Sequence, residues 1–144
     1  MWNPFAARSI ATRRLGQMGE RRAAWFYRLR GFRILARNLR TGSGELDLIV
    51  RRGRLVVFVE VKTRQSLGAG EGVDSVDRRK QLQMVKLAGA FVANHARSLP
   101  PPDILELRYD VVSLFWTGRR FNITHFPDAF RPISDPNRPW KWTV

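Results

Sequence analysis

At 144 residues the chain is long enough for one domain with a buried core and too short for two ordinary domains. A hydrophobic fraction of 44% and a charged fraction of 26% are typical of a globular protein and exclude a disordered chain. Cysteine is absent, which excludes disulfides, thiol nucleophiles and cysteine-ligated zinc. The sequence has neither an apolar run of roughly 18 residues nor a secretory signal, so we expect no membrane association and a cytoplasmic location.

The charge is strongly positive and unevenly distributed. The formal net charge is +14, from 26 Lys and Arg against 12 Asp and Glu. Ten Arg and a single acid, Glu20, lie between Arg8 and Arg40. An Arg-rich excess also fits a nucleotide-biased genome, but the clustering favours nucleic acid as the partner. Arg13 and Arg14 are candidate phosphate contacts within this stretch.

The N-terminal part of the chain predicts one helix. Residues 1–10 have no clear period and residues 131–144 are rich in proline, so both are predicted to be loosely ordered around a single domain of residues 11–130. Good helix formers predict a helix from Thr12 to Arg30, with Gly31 as its C-terminal stop. Its predicted apolar stripe consists of Leu15, Met18, Trp25, Phe26 and Leu29.

Five strands are predicted from runs of β-branched and aromatic residues that are bounded by turn signals. They cover residues 32–38, 45–50, 55–61, 107–116 and 121–126. After a Gly-rich loop at 67–72, a second helix is predicted from apolar residues at spacings of three and four, with Asp77 as its N-cap. The resulting order, α-β-β-β-α-β-β, predicts an α/β fold with a mixed central sheet flanked by helices.

Charged residues interrupt the second and third predicted strands, which are otherwise apolar. Residues of one parity share a strand face, so Glu45 goes with Asp47, and Glu60 goes with Lys62. A two-residue turn at Arg52-Gly53 sets Glu45 opposite Glu60 and makes Asp47 its diagonal neighbour, with Cβ atoms on the order of 7 Å apart. All four charges then lie on one face, whereas a three-residue turn would separate them unless a bulge restored the register.

Two interpretations of these charges follow, because a charge inside an apolar strand is costly unless it is paired or metal-bound. One is a sheet face open to water, on which Lys62 bridges Glu60 as an ion pair. The other is a metal site for phosphodiester hydrolysis, which the apolar neighbours Val56 and Phe58 favour. There Mg²⁺ or Mn²⁺ takes oxygen ligands and acidifies a bound water, while a lysine orients that water or stabilises the developing charge.

The arrangement of Asp47 followed by Glu60-Val61-Lys62 resembles the motif of the PD-(D/E)xK nuclease superfamily, whose restriction-endonuclease-like core is a mixed sheet with flanking helices. More closely, residues 44–49 and 58–64 resemble the YraN-type family, small bacterial predicted endonucleases related to archaeal Holliday-junction resolvases. The similarity runs from about Leu15 to Phe126. It includes Gly19-Glu20, Asn38, Lys80-Gln81 and residues 109–112. The bare motif arises often by chance, but similarity over most of the chain is specific.

The resemblance implies a role for each residue of the motif. Asp47 and Glu60 would ligate the metal, with the backbone carbonyl of Val61 as a further ligand. Lys62 would position the attacking water. Glu20 matches an acid that resolvase-like members bring to the metal from outside the sheet. The alternative interpretation is that Glu20 is an exposed helix residue paired with an Arg.

The residues around this motif have two interpretations each. Glu45 would support the ligands or be structural. The candidate phosphate contacts are Arg64, Lys80 and Gln81, and the alternative is that they are solvated surface residues. Lys80 lies at a helix start, where amide groups also favour anions. Asp110, inside a β-branched strand, is interpreted as a structural acid paired with an Arg.

Two functions from different classes remain open on the sequence. The leading one is a metal-dependent endonuclease that cuts DNA, with branched or structured DNA as candidate substrates. The alternative is a non-catalytic nucleic-acid-binding module that retains the nuclease fold within a repair or recombination complex. RNA is not excluded as a substrate, and the resemblance to resolvases, which cut symmetric junctions as dimers, raises the expectation of a homodimer.

Overall fold

The computed structural model of the chain describes residues 4–65 and 76–132, with side chains from residue 11 onward. The elements are α1 (Pro4–Arg28), β1 (Arg33–Thr41), β2 (Gly44–Arg52), β3 (Leu55–Arg64), α2 (Arg78–Asn94), β4 (Glu106–Trp116) and β5 (Phe121–Phe126). The predicted order of elements is confirmed. The predicted loop at 67–72 and most of the predicted C-terminal tail lie outside the described residues.

The five strands form one mixed sheet in the order β1-β2-β3-β4-β5. Only β3 and β4 are parallel, and α2 connects them, while the other neighbouring strands are antiparallel. Phe58 and its face of the sheet pack against α2, and Val57 and Val59 pack on the other face against α1. The predicted α/β fold, with a mixed central sheet flanked by helices, is therefore confirmed. Neither described helix is both long enough and apolar enough to span a membrane.

Helix α1 begins and ends differently from its prediction. It begins at Pro4, so the predicted start at Thr12 is wrong, and residues 4–10 of the predicted loose terminus are helical. At its other end Gly31 adopts a left-handed φ of 83°, and the N–H of Phe32 donates to the carbonyl of Tyr27 at 3.1 Å. This is a glycine-terminated helix end, and the predicted role of Gly31 is confirmed.

The face of α1 that packs on the sheet is made of small residues and one tyrosine. Ala23, Ala24 and Tyr27 are buried. The predicted stripe is wrong in part, with exposed fractions of 45% for Met18, 53% for Trp25 and 73% for Leu29. Small side chains let the helix backbone approach the sheet closely, a requirement that a pattern of large apolar residues does not reveal.

The turn between β2 and β3 sets the register of the site. The two strands pair from Arg52 with Leu55 to Leu48 with Val59, so the turn residues are Gly53 and Arg54. The predicted turn at Arg52-Gly53 is wrong by one residue, and Gly53 supplies the left-handed φ of 61° that suits a tight hairpin. Since both turns contain two residues, paired positions still sum to an odd number, but pairing partners shift by two positions. Strict alternation breaks within β2, because Leu46 packs on the α2 side and Leu48 on the α1 side. The expectation that all four charges share one face is therefore wrong.

Asp110 is a fully buried acid on β4, and its carboxylate is saturated with hydrogen bonds. Its oxygens accept from Nε and Nη2 of Arg108 at 2.8 Å, from the backbone N–H of Asp128 at 3.0 Å and from the hydroxyl of Tyr27 at 2.8 Å. Nε2 of His125 lies 2.8 Å away. Burial raises the pKa of Asp110, but these hydrogen bonds outweigh it and lower the pKa to about 2. The interpretation of Asp110 as a structural acid paired with an Arg is confirmed.

We predict that Asp110→Ala lowers the free energy of unfolding at pH 7 by about 3–5 kcal/mol, because it leaves the Arg108 guanidinium without its buried partner. The folded pKa of about 2 lies below the unfolded value of about 3.9. The stabilisation by Asp110 is therefore complete above pH 4 and lost as the pH falls towards 2, and Asp110→Asn abolishes this dependence. Urea unfolding across this pH range measures both effects. An equal loss in the control Asp103→Ala, at an exposed acid, would contradict the assignment.

Candidate metal centre

The site forms where β2 and β3 stop pairing. The last backbone pair towards the start of β2 is Leu48 with Val59. Asp47, the residue before Leu48, continues the contact with β3 through its side chain. Asp47 Oδ2 accepts the backbone N–H of Val61 at 2.8 Å. Asp47 thereby lies beside Glu60, and the two carboxyl groups are within hydrogen-bonding contact. The predicted diagonal relation is wrong, since the shifted turn sets the two acids side by side.

Glu60 carries the strongest electrostatic perturbation of this pair. Its side chain is 15% exposed, and Oε2 is buried without a hydrogen-bond partner among the described residues. Burial and the neighbouring Asp47 carboxylate raise the pKa of Glu60 to about 7, against the opposing charge of Lys80. Burial also raises the pKa of Asp47, although the hydrogen bond from Val61 and the charge of Lys80 lower it. A buried carboxyl pair of this kind favours a bound cation.

Lys80 brings a cation to the pair from α2. Its Nζ lies 3.4 Å from Glu60 Oε2 and donates to the backbone carbonyl of Glu45 at 3.1 Å. The predicted N-cap is confirmed, because the Asp77 side chain accepts the backbone N–H of Lys80 at 2.8 Å and fixes the first turn of α2 beside the site. The sequence marked Lys80 as a phosphate contact, and its contact with Glu60 was missed because nothing in the sequence relates α2 to β3.

Glu20 reaches the same neighbourhood from the opposite face of the sheet. Burial raises its pKa, a hydrogen bond with Asn38 lowers it, and the nearby Asp47 and Glu45 raise it again. Asn38 has a left-handed φ of 49°, a backbone conformation that asparagine adopts more readily than most residues. Within residues 4–65 and 76–132, no group of three His, Cys, Asp or Glu side chains is close enough to hold a metal together. Glu20 is thus adjacent to the carboxyl pair without joining it.

Gly19 explains how Glu20 reaches the sheet. A Cβ atom at this position would overlap Oγ1 of Thr63 on β3, so only glycine permits the observed approach of α1. The helix therefore presses against the sheet at Gly19 and carries the next residue, Glu20, to Asn38.

The other predicted site residues lie around this centre with different partners. Lys62 is half-buried on β3, two residues beyond Glu60 on the same face, beside Ser113 of β4. Gln81 donates to the carbonyl of Val76 at 2.8 Å and so holds the segment before α2. Arg64 is exposed at the end of β3.

Glu45 does not stand opposite Glu60, so that predicted pairing is wrong. It pairs with Arg40 of β1 instead, where Oε2 lies 3.7 Å from Nε, and both side chains are well exposed. An exposed ion pair of this length contributes little. Arg13 and Arg14 are exposed on α1.

Fold and site together define a class of small α/β proteins that hold a buried carboxyl pair where two strands of a mixed sheet separate, with lysines beside it. The chain belongs to the Uncharacterised protein family UPF0102, whose profile matches residues 19–114. The predicted membership of the YraN-type family is confirmed at this level. The superfamily assignment stays a prediction.

Relatives from three bacteria illustrate the match. The UPF0102 protein of Syntrophotalea carbinolica is 40% identical over 116 residues, which cover 81% of this chain and 90% of the relative. That of Symbiobacterium thermophilum is 44% identical over 103 residues, with coverages of 72% and 83%. That of Azorhizobium caulinodans is 39% identical over 127 residues, with coverages of 88% and 90%.

Among solved structures, the chain is similar to Pyrococcus furiosus SfsA in complex with Ca²⁺. The sequence identity is 21%, the TM-score is 0.36, and the match covers 81% of this chain and 63% of the other. A TM-score of this size is too low to support conclusions about this protein.

We predict that Gly19→Ala lowers the free energy of unfolding by about 1–3 kcal/mol, because the new Cβ forces α1 away from Thr63. Gly16→Ala on the same helix is the matched control. Its Cβ would meet nothing within 4 Å, so it should stabilise the helix by up to about 1 kcal/mol. Urea unfolding measures both, and shifts of the same sign would refute the close approach at Gly19.

We predict that Glu60→Gln stabilises the metal-free protein at pH 8 by on the order of 1 kcal/mol, because it removes a buried charge beside Asp47. The pKa of Glu60 is raised from 4.5 to about 7. Wild-type stability should therefore fall as the pH rises from 4.5 through 7, and Glu60→Gln should lack this loss. Thermal unfolding in EDTA measures the difference. The control is Glu106→Gln, at an exposed acid paired with Arg54, for which we expect the wild-type pH profile.

Proposed function

We propose that this protein is a metal-dependent endonuclease of the PD-(D/E)xK superfamily that hydrolyses phosphodiester bonds in DNA. The observation that carries the proposal is the buried Asp47–Glu60 pair, in which Glu60 Oε2 makes no well-aligned hydrogen bond among the described residues and has the Lys80 ammonium 3.4 Å away. A buried acceptor of this kind costs free energy unless a cation or a donor satisfies it. Lys62, two residues further along the same strand face, completes the expected set of side chains.

The donor set fits a hard divalent cation. Asp47 and Glu60 offer carboxylate oxygens side by side, which Mg²⁺ and Mn²⁺ prefer over nitrogen and sulfur ligands. The Val61 carbonyl is a further candidate ligand. Glu20 lies beside the carboxyl pair without joining it, so it would ligate the ion only after moving closer. When bound, such an ion neutralises phosphate charge and lowers the pKa of a coordinated water.

The chain's own residues have separable tasks in this proposal. Asp47 is held in place by the Val61 N–H at 2.8 Å, while its carboxyl group is in contact with that of Glu60. Lys62 positions the attacking water and stabilises the charge that develops on the phosphate. Lys80, whose Nζ lies 3.4 Å from Glu60 Oε2, orients that carboxylate and offsets part of its charge.

DNA is the favoured substrate class because of the charge distribution around the site. Within α1, from Pro4 to Arg28, six Arg and one acid are present, and that acid lies against Asn38. Arg64 is exposed at the end of the strand that carries Glu60 and Lys62. Contacts of this kind bind phosphates irrespective of sequence, so they favour recognition of the DNA backbone and its shape.

The second candidate is a nucleic-acid-binding module without catalysis, and the position of Lys80 is the observation that favours it. Its ammonium already lies beside Glu60, so it partly neutralises the carboxyl pair without a metal. Calorimetry of Mg²⁺ binding with and without DNA separates the candidates. A nuclease should bind Mg²⁺ through Asp47, and a module neutralised by Lys80 should not.

We predict that the wild type cleaves supercoiled, linear or four-way-junction DNA in the presence of Mg²⁺ or Mn²⁺. Asp47→Asn should abolish cleavage through loss of the metal, and Lys62→Met should slow it by about 100-fold or more. Gel assays at fixed salt measure the rates, with structured RNA as a competitor. Glu106→Gln, at the far end of the sheet, is the control and should cleave at the wild-type rate. A wild type that cuts nothing, or an Asp47→Asn variant that cuts equally, refutes the proposal.

A further inference from the structure

The outward face of α1 presents an aromatic side chain among arginines. We call Arg14, Met18, Arg21, Trp25 and Arg28 the outer ridge, because their spacing of four and three residues places them on one side of the helix. The ridge lies opposite the buried face formed by Ala23, Ala24 and Tyr27. All five of its side chains are exposed.

Trp25 lies outside both hydrophobic cores of the described fold. Its side chain is 53% exposed, and its described aromatic contact is with the Arg28 guanidinium, 5.3 Å from the ring centroid. Met18 and Leu29 extend the exposed apolar surface along the helix on either side. An exposed apolar surface of this kind, bordered by charge, is typical of an interaction site.

The charges of the outer ridge select the kind of partner. Glu20, the single acid of α1, is directed to Asn38 and the carboxyl pair instead of the ridge. Two copies of the ridge would bring arginine against arginine, which disfavours self-association. The segment 133–144 carries two basic residues and one acid, so its charge does not complement the ridge either. The complementary partner is a polyanion with a face on which Trp25 can stack.

We propose that the outer ridge binds single-stranded nucleic acid, with Trp25 stacked on an unpaired base and the arginines on the flanking phosphates. Inside a duplex both faces of each base are covered by its neighbours, so only an unpaired base offers a face to a convex helix surface. Arg14 and Arg21 lie about 10.5 Å apart along the helix, and Trp25 follows about 6 Å further on. These separations suit contacts to successive nucleotides of an extended strand.

The location of the outer ridge relates it to the candidate metal centre. Arg21 follows Glu20 directly in sequence, and one residue of an α-helix turns the side-chain direction by about 100°, so the ridge lies around the helix from the candidate metal centre. A strand that leaves the site can therefore pass over α1. The inference rests on the nucleic-acid binding of the proposed function and is independent of cleavage.

The test compares a labelled oligothymidine with a blunt duplex of equal length, by fluorescence anisotropy in EDTA so that cleavage plays no part. Trp25→Ala should weaken binding of the single strand by about tenfold and binding of the duplex by less than about twofold. Trp25→Phe should retain most of the affinity, because a ring remains for stacking. The control Ile104→Ala, at another exposed apolar side chain outside α1, should bind both oligonucleotides as the wild type does.

Results other than the expected one overturn the inference that the outer ridge binds single-stranded nucleic acid. If Trp25→Ala weakens both oligonucleotides equally or neither, the ridge does not distinguish single strands. A change of sedimentation coefficient would assign the ridge to a second copy, and a large loss of stability would assign it to another segment of this chain. A wild type that binds no DNA overturns the proposed function as well, whereas binding without cleavage in Mg²⁺ overturns the nuclease proposal alone.

Discussion

The hydrogen bond from the Val61 N–H to the Asp47 carboxylate, 2.8 Å long, replaces a backbone contact at the point where β2 leaves β3. A backbone N–H in a part-buried position needs an acceptor, and here a side chain provides it. The exchange opens the sheet without leaving the amide unpaired. Through this opening Glu20 approaches from the α1 face and Lys80 from the α2 face, and a fully paired sheet would have separated them.

Asp110 and Glu60 lie on adjacent strands, and one stabilises the fold while the other belongs to the candidate metal centre. Asp110 of β4 pairs with Val59 of β3, the residue before Glu60. The carboxyl groups of Asp110 and Glu60 nevertheless have opposite environments. Hydrogen bonds saturate Asp110 and lower its pKa to about 2, which stabilises β4. Glu60 keeps a buried oxygen without a hydrogen bond, and its pKa is raised to about 7. A strained acid held by a satisfied framework is characteristic of functional sites, where stability is lost locally and recovered elsewhere.

Local signals were sufficient for the order of elements, the Asp77 N-cap and the Gly31 helix end, because each depends on a few consecutive residues. Strand parity was enough to predict that Asp47 and Glu60 lie near each other. The predicted register was wrong by two positions, because Arg52-Gly53 and Gly53-Arg54 are equally acceptable two-residue turns. The contact of Lys80 with Glu60 depends on how α2 crosses the sheet. Nothing local to either residue encodes that crossing.

The apolar stripe predicted for α1 is partly exposed for a physical reason, and the same reason relates the candidate metal centre to the outer ridge. Glu20 can reach the sheet only if the helix backbone comes close, and this requires Gly19 and small neighbours such as Ala23 on the inner face. The large apolar residues of the helix are then left for the outside. Met18 and Trp25 therefore lie between arginines in solvent because the inner face is reserved for close contact, and the same constraint that brings an acid to the carboxyl pair also exposes an aromatic ring to a partner.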